Sequence, residues 1–436
     1  MWEPEMLGLR PNSALLLLAG AAAASTAGAQ GLTIDQALAM AKANNGTVRA
    51  ALLQYQASRA DARSAFAAYF PSVTPSFEYD VDRTETFTGF SKGLFDSTTG
   101  TSAVRASWLL LDSGTRDASY KRSAYFRDVS EQNSLQSLRN VLFSVHQNFY
   151  DALRAEEILK VRQKQLDRAV EIENQTKEFA DTGAGPKKDV LQATADKLNA
   201  KAAELTARND VSTARADLKA VLGVQEGQTL GDLQSPEETE IPATDYTLEQ
   251  AIQDGLDHRP DLLAQKLRVK AQGQSVRLAK IDQGFTWTLD ARHTRGFGPD
   301  PFDQSALVFQ VSIPLYDGFR TREIVRSNQL SLDAEKATLT QSERDAMAEI
   351  ESAYKEFSQN RERLDASKAA LDAAQINYAA ASDSRKEGAS DLIEVLTAAV
   401  SLATAESNYI QAYYDTLISR VRLRLVTGQS LPGEDD

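Results

Sequence analysis

The sequence predicts a mainly α-helical fold with a smaller β portion, in which one unit of helix, two strands, very long helix, tight turn and helix is used twice. Three observations carry this reading: an internal repeat, two long proline-free stretches with apolar residues at 3,4 spacing, and four short segments that alternate apolar and polar residues. The repeat is legible by eye. Thr33-Ile34-Asp35-Gln36-Ala37-Leu38 returns 214 positions on as Thr247-Leu248-Glu249-Gln250-Ala251-Ile252, and Arg63 returns as Arg277. Further along the spacing is 205 positions, where Asp112 pairs with Asp317, Val145 with Ile350, Phe149 with Tyr354, Gly183 with Gly388 and Gly223 with Gly428. The first copy thus holds nine extra residues between Pro71 and Asp112. Length differences of this kind concentrate in exposed loops, so a loop over Thr86–Thr101 is expected.

In chain order, residues 1–29 read as a signal peptide. Ala14–Ala24 carries no charge, and Ala27-Gly28-Ala29 supplies the small-residue cleavage pattern. The first repeat spans 30–222, with strands at about 71–84 and 102–112. Val73, Pro75, Phe77, Tyr79 and Val81 alternate there with Thr74, Ser76, Glu78 and Asp80. Each such segment matches the roughly 9–11 residues of a tilted membrane strand, apolar toward lipid and polar toward a lumen. Tyr69, Phe70, Trp108 and Trp287 fall near the expected membrane interfaces. The following helix, Thr115 to Asp181, carries Leu135, Leu138, Leu142, Val145, Phe149 and Ala152 at 3,4 spacing, a coiled-coil-like stripe. With no proline inside it, such a helix would be on the order of 100 Å long at about 1.5 Å per residue. Residues 223–245, rich in Pro, Gly and acids, read as a linker. The second repeat, 246–428, has strands at about 285–295 and 305–316 and a long helix over Phe319 to Glu387, whose stripe is Met347, Ile350, Tyr354 and Phe357. A short C-terminal tail, 429–436, completes the chain.

Charge and composition exclude several functions. The net charge of -13 has the wrong sign for phosphate backbones, so nucleic acid is not an expected partner. The absence of cysteine removes disulfides, thiol metal sites and a lipid-bearing anchor. Past the signal no apolar run reaches the 18 or so residues of a spanning helix. His146, His258 and His293 show no ligand spacing. No catalytic residue, metal or cofactor is therefore assigned. Gly183 to Lys188 lacks the spacing of a phosphate loop and places Pro186 where the backbone would cradle phosphate.

Four strands cannot close a barrel, and an open sheet edge in hydrocarbon leaves backbone groups unpaired at several kcal/mol each. Since the smallest membrane barrels have about eight strands, copies of the chain must share one barrel. Three copies would give about twelve strands and a water-filled interior, which predicts a homotrimer in contact with outer-membrane lipid. The rival reading is a soluble periplasmic coiled-coil scaffold or adaptor whose strands form a small sheet.

In its duplicated layout the sequence resembles the TolC family of outer-membrane channel-tunnels over essentially all its length beyond the signal. The resemblance rests on the strand-to-helix corners Leu110-Leu111-Asp112-Ser113-Gly114 and Ile313-Pro314-Leu315-Tyr316-Asp317-Gly318, and on the helix-to-strand step Tyr69-Phe70-Pro71. The turns Asp181-Thr182-Gly183-Ala184-Gly185 and Lys386-Glu387-Gly388-Ala389-Ser390 add to it, each leading into an acid, Val and Leu. It implies a trimeric twelve-stranded transmembrane β-barrel continued by an α-helical barrel across the periplasm. Such a duct passes on cargo delivered by an inner-membrane pump and a periplasmic adaptor (membrane fusion protein). Drug or metal efflux and type I protein secretion both use it, so the cargo class stays open.

The resemblance also implies sites. The two helical turns of each protomer would be adaptor-docking tips, here Thr182, Gly183, Gly185 and Lys187 in the first copy and Gly388, Ala389 and Ser390 in the second. The plainer reading of Gly183 and Gly388 is that they supply the positive φ of a helix cap. The family's gate is a pair of acidic rings six and nine residues after the second tip glycine, positions held here by Glu394 and Thr397. One ring is thus expected at Glu394, with Asp391 one turn earlier as a substitute for the second and Asp189 as the equivalent acid of the first copy. Three carboxylates so placed would favour cations. The plainer reading is that these acids sit in first turns of helices, where a carboxylate suits the dipole.

Overall fold

The computed structural model describes residues 31–88, 91–183, 185–224, 230–235, 246–298, 300–387 and 390–434. The segment read as a signal peptide lies outside the described residues, as do Gly388 and Ala389. Elements follow in the order α1 Ile34–Asn44, α2 Gly46–Ala67, β1 Ser72–Thr88, β2 Ser91–Leu111, α3 Thr115–Asp181 and α4 Lys187–Leu222. The second half gives α5 Leu248–His258, α6 Pro260–Ile281, β3 Thr286–Phe297, β4 Phe302–Ser312, α7 Arg320–Lys386 and α8 Leu392–Val426. The two long helices have 67 residues each and match the proline-free stretches.

Two features differ from the sequence reading. The first helix of each copy is two helices. α1 and α5 open on matching capping boxes, in which Thr33 and Thr247 accept from the backbone N–H of Gln36 and Gln250. They stop at Asn45 and Arg259, both in extended backbone at φ/ψ of -69/122° and -67/124°. Pro260 then occupies the first position of α6, where its missing N–H costs nothing. The second difference is in the first hairpin. The strands expected at 71–84 and 102–112 run on through most of the interval expected to be a loop, with Thr88 facing Ser91. A run rich in Thr, Ser and Gly lacks the apolar alternation of a half-buried strand, yet the antiparallel ladder of β1 and β2 continues through it.

The chain divides into two compact units. One comprises residues 1–51, 135–260 and 344–436; the other 52–134 and 261–343. Both cut across the sequence repeats, because each repeat contributes a stretch to each unit.

The first unit holds the apolar core. Ala37, Leu38 and Ala41 of α1 pack with Leu142, Val145 and Phe149 of α3, Leu218 and Leu222 of α4, and Tyr414 and Val421 of α8. Its counterpart in the second copy is Ala251, Ile350, Ala353, Phe357, Leu423 and Val426. The 3,4 stripes are therefore the buried faces, although Met347 at the start of the second stays exposed. The tail is docked rather than loose. Leu431 is buried in the core, and Glu434 accepts from Arg139 Nε at 2.8 Å and from the Leu431 N–H at 2.9 Å. Within the linker, Leu32 bonds Asp232 and Gln234 through its backbone; 225–229 and 236–245 lie outside the described residues.

The second unit holds one antiparallel sheet in the order β1-β2-β3-β4. Its outer strands, β1 and β4, have one unpaired edge each within the chain. The apolar residues of the alternating segments, among them Phe77, Val81, Leu307 and Phe309, are exposed. Among the described residues no helix is long and apolar enough to cross a membrane.

Candidate functional site: the helical tips and the strand-to-helix corners

At the corners, sequence chemistry dictates geometry. Ser113 and Gly114 have φ of 55° and 97°, and the equivalent Gly318 and Phe319 both have 67°, so each corner is two successive left-handed residues. Asp112 is buried and caps α3. Its carboxylate accepts from the N–H of Gly114 and Arg116 at 3.2 and 2.7 Å and from Arg116 Nε at 3.1 Å. The Arg116 guanidinium in turn donates to the carbonyls of Leu109 and Leu110 and lies over the Tyr69 ring. Strand end, helix start and the Tyr69-Phe70-Pro71 step are thereby tied together. Asp317 repeats the cap through the Thr321 N–H at 2.8 Å, and hydrogen bonds from Thr321 hold its carboxyl below the usual range. Pro314 lies in the stretch without regular secondary structure that follows β4. Aromatic rings gather at the same level of the hairpins: Trp108 donates to the Tyr69 carbonyl, and Trp287 meets Phe309 edge-on at 5.7 Å.

At the first tip, Thr182 donates to the Glu178 carbonyl at 2.9 Å, Gly183 takes φ of 78°, and the Gly185 N–H closes the turn on Phe179 at 2.9 Å. Lys187 opens α4 with its side chain exposed, and Asp189 sits half-buried in the first turn. At the second tip, Asp391 caps α8 by accepting from the Leu392 N–H at 2.7 Å, and Ser390 Oγ donates to the exposed Glu394 carboxylate at 2.6 Å. Ser390, Asp391 and Glu394 therefore form one cluster. Asp189, on the other turn, is not bonded to it. Arg385 links the tips, donating to the Ser390 carbonyl and lying over the Phe179 ring.

The buried anchor beneath the first tip had not been read from the sequence. Glu173 accepts from Thr194 Oγ1 at 2.8 Å, Lys197 Nζ at 2.9 Å and Lys177 Nζ at 3.2 Å, and the hydrogen bonds, that from Lys197 first, hold its carboxyl at about 2. The corresponding place in the second copy is apolar, filled by Tyr378, Ala381, Leu392, Val395 and Ala399 around Ile172. One hairpin of long helices is pinned by charge and the other by hydrophobic packing. The available signal was Glu173 one turn before Lys177, on a helix face that also carries Ala169, Val170 and Thr176.

No group of three or more His, Asp or Glu among the described residues is arranged to hold a metal. His146, His258 and His293 fall on α3, α5 and β3.

The profile of the family described as Outer membrane efflux protein matches residues 37–224 and 251–429, the two copies in turn. The chain belongs to the outer membrane efflux protein family. Among relatives, the outer membrane efflux protein BepC of Brucella suis is 26% identical over 406 residues, covering 91% of this chain and 85% of its own. TolC of Escherichia coli is 22% identical over 321 residues, 71% of this chain and 64% of that one. The solved CmeC outer membrane channel of Campylobacter jejuni superposes with a TM-score of 0.81 at 16% identity over 91% of this chain and 85% of that one. CusC does so at 0.80 and 15%, covering 91% and 92%. The resemblance read from the corners and tips is thereby established, and with it a mainly helical, channel-type fold. This member of the efflux family is an exit duct of the Gram-negative outer membrane.

Proposed function

We propose that three copies of the chain close one twelve-stranded barrel in the outer membrane, continued by a helical tunnel. The duct releases small molecules or proteins delivered by an inner-membrane pump through a periplasmic adaptor. The observation that carries the reading is the open sheet: both outer strands end in unpaired edges and carry large exposed apolar side chains, an arrangement stable in hydrocarbon only when the edges meet those of other copies. The adaptor docks on Thr182, Gly183, Gly185, Lys187 and Ser390, with Gly388 and Ala389 completing the second turn. Glu394, beside the Asp391 cap, forms the narrow acidic ring, with Asp189 facing it from the other turn. The corners at Pro71, Asp112, Gly114, Pro314, Asp317 and Gly318 seat the periplasmic rim of the barrel.

Two measurements test this. Protein extracted from washed outer membranes in detergent should have the mass of three protomers. In planar bilayers, Glu394→Gln should reduce cation selectivity and weaken divalent-cation block, because one carboxylate per copy is lost from the ring. A soluble monomer would remove the shared barrel, and an unchanged reversal potential would remove Glu394 from the gate.

A further inference from the structure

The two hairpins are one structure used twice. At their bases Ser72 faces Ser107 and Thr286 faces Ser312, partners related by the same 214 and 205 positions that relate the halves of the sequence. The extra residues of the first copy therefore lie at the far end of its hairpin and leave the bases equivalent. Between the hairpins runs an internal seam, β2 against β3, in which Ser107 faces Asp290, Ala106 faces Ala291, Val104 faces His293 and Ser102 faces Arg295. Along the chain this is a junction of copy one with copy two. A junction of copy two with the next chain's copy one would be β4 against β1.

We infer that the internal seam is the template for the seam between chains, which fixes its register: Ser312 faces Ser76 of the neighbouring copy, Val311 faces Phe77, Phe309 faces Tyr79 and Leu307 faces Val81. This inference rests on the shared-barrel reading and adds the residue-by-residue pairing that the reading leaves open.

Two observations support it. The first is face matching. Phe77, Tyr79, Val81, Leu307, Phe309 and Val311 are 47% to 71% exposed or, for Leu307, 72%, and the inferred register sets them opposite one another in three cross-strand pairs on one face. A slip of one residue would set Val311, Phe309 and Leu307 against polar residues among Ser76, Glu78, Asp80 and Asp82. The second is the length of β4. Its equivalent, β2, continues past Ser107 through Leu109 and Leu111 because Thr288 and Trp287 of β3 pair with them. The corresponding Pro314 and Tyr316 follow the end of β4 at Ser312, with Leu315 between them 91% exposed. What β4 lacks is the partner that β3 gives β2. In the inferred register Thr74 and Val73 of the neighbouring copy take that place.

The chain has no cysteine, so engineered pairs report without background. Ser76→Cys with Ser312→Cys, and Glu78→Cys with Gln310→Cys, are matched pairs. Ser76→Cys with Gln310→Cys, and Glu78→Cys with Ser312→Cys, are each two residues out of register. A two-residue offset moves a partner about 7 Å along the strand, beyond the Cα separation a disulfide spans. Oxidation of outer membranes should give covalent trimers on denaturing gels with both matched pairs, exceeding the offset pairs by more than about tenfold. Using two matched pairs guards against one that fails to assemble. Preferential cross-linking of an offset pair, in protein that still has the mass of three protomers, overturns the register and leaves the shared barrel standing. A native mass of one protomer overturns both.

Discussion

At the scale of single residues, two buried groups of the first unit each withdraw stability as pH falls, in successive windows. His146 lies 2% exposed among Leu142, Val145, Phe149 and Tyr150 with neither ring nitrogen hydrogen-bonded, and burial pushes its pKa from 6.5 down to about 4. The unfolded chain therefore takes up a proton below about pH 6.5 that the folded one refuses until about pH 4, and stability falls as pH is lowered through that window. The loss should reach on the order of 3 kcal/mol. Glu173 acts in the same sense over a lower window. Held at about 2 against 4.5 in the unfolded chain, chiefly by Lys197 and Thr194, it stabilises above about pH 4.5 and ceases to as pH falls toward 2. His146→Phe, which exchanges an unbonded ring for an apolar one of similar shape, should leave stability at pH 7 within about 1 kcal/mol of the parent and flatten the decline between pH 6.5 and 4. Denaturant titrations across pH read this directly, and an unaltered slope would show that another group carries the acid response. Neither environment was legible in the sequence. His146 sits one residue from the apolar stripe, and the partners of Glu173 on α4 are 21 and 24 positions away, beyond a turn.

At the scale of elements, matching junctions in the two copies explain what could and could not be read. Gly223 closes α4 at φ of 67° and Gly428 follows α8 at 71°; a Cβ on either would come within 2.8 Å of backbone, that of Asn44 for the first and His258 for the second. These are the last residues of α1 and α5, so each glycine abuts the break before α2 or α6. The repeat showed that the glycines correspond, but not what they touch, because the helix break at Asn45 has no proline to announce it. The corners were legible because Asp112 and Asp317 are chemically obligatory caps flanked by left-handed residues. The reach of the first hairpin was not, since the sequence of its Thr- and Ser-rich end shows no apolar alternation. Gly183 provides the contrast: its φ of 78° needs glycine, yet a Cβ there meets nothing within 4 Å. Gly183→Ala should therefore cost only the conformational strain, about 1 kcal/mol. Gly428→Ala adds a backbone clash and should cost about 3 kcal/mol or more. Comparable unfolding midpoints for the two variants would mean that the α5–α6 break yields easily.

At the scale of the whole molecule, the same internal template reaches from the strands into the helices and exposes a place where the copies differ. Across the seam inside the chain, Arg277 of α6 pairs with Asp117 of α3 at 2.9 Å, and Lys121 joins the same carboxylate at 3.1 Å. Shifted by the repeat offsets to the seam between chains in the proposed trimer, Arg277 becomes Arg63, Asp117 becomes Arg322 and Lys121 becomes Arg326. Three cations then face one another where the internal seam holds an acid between two cations. Exposed charges at this separation interact by up to about 1 kcal/mol per pair, and salt screens them within about 10 Å at 0.1 M. Arg322→Asp should restore the acid at all three seams and raise the temperature at which trimers dissociate on heating in detergent. The gain should shrink as salt is added. Adding Arg63→Asp to that variant places two acids together beside Arg326 and should lower the midpoint below that of Arg322→Asp alone; with Arg63→Asp by itself as the fourth corner, the cycle isolates the pair. If Arg322→Asp instead lowers the midpoint, or the second substitution adds nothing, the helices at the seam between chains do not repeat the packing inside it, and the equivalence ends with the strands.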